Sequence, residues 1–152
     1  MFSRFRSVAA FWLVSLTAIF GATGLATADP LPSYYGQIIV EDVWATPGQV
    51  GDLATLRLRI VNEGRDPVHL LGVESPVALD SRIVGRIGDQ ETANFESVSV
   101  RADNDLDLTR DYMWIELGPL MREVKPGESI PLELVFLRSR IQLKVLVRAA
   151  GG

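Results

Sequence analysis

The sequence predicts an all-β domain, a sandwich or barrel of about nine short strands behind a secretory leader. Three observations predict it. Apolar and polar residues alternate with period two across most of the chain. Gly, Pro and Asn/Asp clusters interrupt that alternation at short intervals. No segment after the leader carries a helical stripe of apolar residues.

The leader occupies 1–28. Arg4 and Arg6 form a positive start, and Val8 to Leu25 is apolar, with Phe11, Trp12, Leu13 and Ile19 at its centre. Ala26-Thr27-Ala28 is a small-x-small cleavage site followed by Asp29-Pro30. That is the layout of a cleaved signal peptide. The run approaches the length of a membrane span, but its Thr and Gly content and the Ala-x-Ala motif favour cleavage. We therefore expect export to a periplasm-like compartment and no stable membrane anchor after cleavage. Without a cysteine, no lipid attachment is available.

Residues 29–36, rich in Pro and Tyr, read as a leader into the fold, and 37–150 as one domain. Ile38 to Trp44 reads as the first strand. Leu53 to Asn62 is the sharpest, with Ala54, Leu56, Leu58 and Ile60 alternating against Thr55, Arg57, Arg59 and Val61. Glu63-Gly64-Arg65-Asp66-Pro67 is a turn, and Val68 to Val73 the next strand. Arg82 to Ile87 and Phe95 to Arg101 give two more. Leu106 to Leu108 is a short strand and Tyr112 to Leu117 a longer one, ending at Gly118-Pro119. After the turn Lys125-Pro126-Gly127-Glu128, Ile130 to Leu137 and Gln142 to Arg148 form a closing hairpin. We expect it to sit centrally, with Leu132, Leu134 and Phe136 opposite Leu143, Val145 and Val147. Trp44 and Trp114 are expected in the core.

Charge and residue inventory narrow the function. The net charge is −4, and loss of Arg4 and Arg6 makes the exported domain two charges more negative. That balance speaks against nucleic acid, which needs a basic face. Zero cysteines exclude disulfides, CxxC redox chemistry and thiolate ligands. The one histidine, His69, lies inside an expected strand with no nucleophile-elbow pattern around it, so the chain does not read as an enzyme. Asp103, Asp105, Asp107 and Asp111 alternate, but they lack the Gly and the closing Glu of a calcium loop and read as a solvated turn. Gly85, Gly88 and Gly118 read as backbone devices.

Four landmarks, in order and at compatible spacing, resemble one family, the periplasmic copper chaperones PCu(A)C. They are Ile38 to Pro47, Leu56 to Gly64, Leu70-Leu71-Gly72-Val73-Glu74-Ser75-Pro76-Val77-Ala78, and Lys125 to Phe136. The resemblance implies a cupredoxin-like, Greek-key β-sandwich. It also implies a copper(I) site made of a His, a Met and a His-x-Met pair, with delivery towards cytochrome oxidase through an assembly factor or another envelope protein. Thioethers with imidazole select Cu(I). Here the first His falls near Val84 and the Met near Phe95. The His-x-Met pair falls on Met113 and Ile115, or on Tyr112 and Trp114 with a slip of one. Met113 alone keeps a soft donor. His69 and Met121 are further candidates that match no family position. The metal site thus reads as degenerate. The alternative reading is a metal-free interaction or assembly module, in which Val84, Phe95, Met113 and Ile115 form an apolar partner patch.

Overall fold

The computed structural model describes residues 33–149; the expected signal peptide lies outside the described residues. Eleven strands and no helix are found there. In chain order they are β1 (Ser33–Tyr35), β2 (Ile38–Ala45), β3 (Ala54–Asn62), β4 (Val68–Glu74), β5 (Ser81–Arg86) and β6 (Thr92–Phe95). Then follow β7 (Val98–Val100), β8 (Asn104–Asp107), β9 (Met113–Leu117), β10 (Ser129–Phe136) and β11 (Arg140–Val147). Their hydrogen-bonded order is β6-β5-β9-β3-β2-β11-β10-β4-β7, with β1 on β2 and β8 on β3. The path folds back on itself as a sandwich nearly closed into a barrel, since β4 also meets β5 and β7 meets β8.

β3 shows why the chain folds this way. Its burial alternates strictly, and Ala54, Leu56, Leu58 and Ile60 all face the core. Across the core, β10 supplies Ile130, Leu132, Leu134 and Phe136 in the same rhythm. Each fully buried Leu or Ile contributes roughly 1.5–3 kcal/mol, and no disulfide helps. β2 joins the two layers. Between Glu41 and Trp44 it holds one residue more than β3 opposite, a bulge, and Asp42 there adopts φ 53°, a conformation Asp tolerates better than most residues. Before the bulge β2 pairs with β1; after it, β2 pairs in parallel with β11.

The structure corrects five expectations. The leader 29–36 already contains β1, paired to Ile38–Val40. The single strand expected over Phe95 to Arg101 is two strands at opposite ends of the path: β6 pairs with β5 and β7 with β4. Both pieces alternate, so periodicity alone does not reveal that the chain changes layer at Glu96-Ser97. The short strand expected at Leu106 to Leu108 begins two residues earlier, with Asn104 and Asp105 pairing to β3. In the closing hairpin Leu132 does face Leu143, but Leu134 faces Ile141 and Ile130 faces Val145, because antiparallel pairing runs the two series in opposite directions. Trp44 and Trp114 are only half-buried and lie outside the core cluster.

Candidate functional site

β5, β6 and β9 carry the positions where the resemblance places metal ligands. Cross-strand pairing sets Phe95 opposite Ile83, and Ile83 opposite Ile115. Two residues along, Ala93 faces Gly85 and Gly85 faces Met113. Side chains two apart on a strand share a face, so Met113, Ile115, Phe95 and Gly85 all belong to the core side. Ile115 is fully buried there, at 0% exposure. Val84 belongs to the other side, in a row with Asn94 and Trp114, and is itself 4% exposed. The expected patch of Val84, Phe95, Met113 and Ile115 is therefore not one exposed surface. A register one residue off sends a side chain through the sheet, and the β5 position facing Met113 is Gly85.

Gly85 matters because of what crosses it. A Cβ at this position would lie 2.5 Å from Cε2 of Phe95 and 3.4 Å from Cε of Met113. The Phe95 ring and the Met113 methyl thus close over a bare stretch of backbone, and both pack against the core. The sequence reading took Gly85 for a backbone device; the structure gives the reason, close approach of a ring.

Cu(I) selection needs several soft donors converging on one point. The cluster offers a single thioether, that of Met113, beside a phenyl ring and aliphatic carbon. Copper(I) does not fit this donor set. Neither further candidate completes it. His69 lies on β4, paired to β7 through Ser99, and borders a hollow of about 280 Å3 with Asp66, Phe136 and Arg138. No strand pairing links β4 to β9. Met121 follows Gly118, at the opposite end of β9 from Met113, with its N–H donating to the Val77 carbonyl. Tyr112 is exposed just before β9.

The reverse face of the same strands is polar. Arg57 lies over the Trp114 ring at 5.8 Å from its centroid and pairs with Asp111 at 3.0 Å. The indole N–H donates to Glu116 at 3.3 Å, and Glu116 also accepts from Arg82 at 2.7 Å. Cation–π contacts and exposed ion pairs of this kind each contribute up to about 1 kcal/mol. This arginine layer was missed in the sequence because Arg57 and Asp111 are far apart along the chain.

The alternating aspartates are dispersed rather than gathered. Asp105 pairs with Arg59, Asp107 with Arg110 and Asp111 with Arg57. The Thr109 hydroxyl and N–H, followed by Arg110, hold the Asp107 carboxyl below the ordinary carboxylate range. Among the described residues no three His, Cys, Asp or Glu side chains gather in a metal-binding group. A hollow of about 830 Å3 lies over the β10–β11 hairpin between Tyr35 and Pro76, and none of the expected ligand positions lines it.

Fold and cluster together define an all-β sandwich nearly closed into a barrel. No family model and no curated protein sequence matches the chain. Solved structures do. The apo PCuAC domain of PmoF2 superposes with a TM-score of 0.69 at 18% identity, covering 80% of this chain and 98% of that one. The copper-bound PCuAC domain of PmoF2 gives 0.68 at 20%, covering 79% and 99%. The Cu(I) form of DR1885 from Deinococcus radiodurans gives 0.50 at 22%, covering 72% and 77%. The chain therefore has the PCuAC domain fold, as its sequence landmarks implied.

Proposed function

We propose that this chain is an exported, non-enzymatic binding protein on the PCuAC fold that works through protein contacts without a resident metal. The observation that carries this reading is the Phe95 ring closed over Gly85, with Met113 as the lone soft donor beside it. The Arg4/Arg6 start and the Ala26-Thr27-Ala28 site support export, and a periplasmic location goes with that reading.

A competition titration tests it. With Cu(I) held by a chromophoric chelator under reducing conditions, the protein is expected to leave the chelator's absorbance unchanged at micromolar concentration. Stoichiometric withdrawal of copper, abolished by Met113→Leu, would overturn the reading. That result would support the second reading, copper handling, which likeness to the copper-bound PmoF2 domain favours; delivery towards cytochrome oxidase is what the sequence resemblance alone implies.

A further inference from the structure

The far end of β9 is built differently. Three segments meet there: 48–53, 77–80 and 118–124. The central one is tied to both neighbours by backbone hydrogen bonds. On one side Leu120 N–H donates to the Asp52 carbonyl and Gly51 N–H to the Leu120 carbonyl. On the other, Leu79 N–H donates to the Pro119 carbonyl and Met121 N–H to the Val77 carbonyl. Gly118, at φ 151°, lets the backbones touch: a Cβ would stand 2.7 Å from the Asp52 carbonyl oxygen. Leu120 points inward and is buried.

The pinned loops face solvent with apolar side chains. Val50, Leu53, Leu79 and Met121 are 67%, 47%, 71% and 53% exposed. Four of the eight large hydrophobics that are exposed among the described residues thus lie on the three segments joined at this end. Grouped apolar exposure of this kind marks partner sites on soluble proteins. A platform already held in place loses little conformational freedom when it binds.

The charges at the rim say what kind of partner fits. Asp52 and Asp80 are exposed and, among the described residues, pair with no cation; each carboxylate accepts only a local N–H, from Gln49 and Ser81. The nearby cations are already engaged, Arg122 with Glu128 at 2.9 Å and Lys125 with Glu123 at 3.5 Å. An anionic membrane surface would meet these carboxylates with like charge. A second copy docked symmetrically would set the same acidic rim against itself. We propose that this end docks an apolar segment flanked by lysine or arginine, presented by a partner protein. The inference deepens the protein-contact reading above and rests on it for the class of partner. Peptide binding and copper binding are measured separately, so either can fail alone.

Three labelled peptides test it, sharing the same leucines and flanked by lysine, glutamate or serine, with binding followed by fluorescence anisotropy. The lysine peptide is expected to bind about tenfold tighter than the glutamate peptide, with a gap that narrows as salt is added. Leu79→Ser with Met121→Ser should weaken it about tenfold. Asp52→Asn with Asp80→Asn, which keeps the Gln49 cap acceptor, should remove the lysine preference. Melting temperatures establish that the variants fold. Equal binding of all three peptides, binding of none, or an unaltered Leu79/Met121 variant overturns the proposal. So does concentration-dependent dimerisation, or adsorption to phosphatidylglycerol vesicles, that disappears in that variant.

Discussion

The two ends of β9 face opposite demands. At the Met113 end the strand turns its side chains inward, and a phenyl ring and a thioether close over Gly85. At the Gly118 end the following segment is pinned backbone to backbone; it turns Met121 outward, and its neighbours turn out Val50, Leu53 and Leu79. One strand thus links a half-buried cluster packed on the core to an exposed platform. The comparison teaches that one strand can direct its side chains into the core at one end while the loop that follows it turns apolar side chains to solvent at the other.

The largest expected effect comes from the middle of β9, where both ends depend on one side chain. Ile115 is fully buried between Leu56 and Ile83, so Ile115→Ala should cost about 2–5 kcal/mol of unfolding free energy in urea. A loss under 1 kcal/mol, on the order of a surface change, would mean that β9 does not anchor the two ends.

The Met113 end should respond to crowding. Gly85→Val places carbon where the Phe95 ring lies and should cost about 1–3 kcal/mol. Most of that cost should vanish in a Phe95→Ala background, a coupling that a double-mutant cycle reads directly. Additive effects would show that the ring does not fill this space. The open end should tolerate change: Leu79→Ser should shift stability by no more than about 0.5 kcal/mol, and a larger loss would place Leu79 in the core.

Much of this architecture was legible before any coordinates. The alternation from Ala54 to Ile60 gave β3 with the right face inward, and Asn62-Glu63-Gly64 marked its turn. There the buried Asn62 accepts from Gly64 N–H and donates to the Asp66 and Val100 carbonyls. The site was less legible, because motif alignment places a ligand to within one residue while the pleat needs the exact one. Val84 and Gly85 differ by that single step, and so by the thickness of the sheet. The split of Phe95 to Arg101 was hidden for a related reason, since both pieces show the same period. The outward platform was invisible because its loops adjoin only through backbone hydrogen bonds between distant segments.

The smallest effect expected is a pH response near the Met113 end, where Asp107 on β8 precedes β9. Thr109 and then Arg110 hold its folded carboxyl below the ordinary range. Its contribution is fully present above the unfolded value of about 3.9 and is lost as pH falls through the lower folded value. The stability difference between the protein and Asp107→Asn should therefore be constant above about pH 5 and shrink below about pH 4. A difference that grows on acidification would contradict the assigned hydrogen bonds.

The methionine methyl spectrum reads the central claim most directly, because Met113 and Met121 report on the two ends. The Met113 methyl should show a ring-current shift that Phe95→Leu removes, and one equivalent of Cu(I) under reducing conditions should leave it in place. A Met113 resonance that moves or broadens stoichiometrically with Cu(I) would contradict the proposed metal-free cluster.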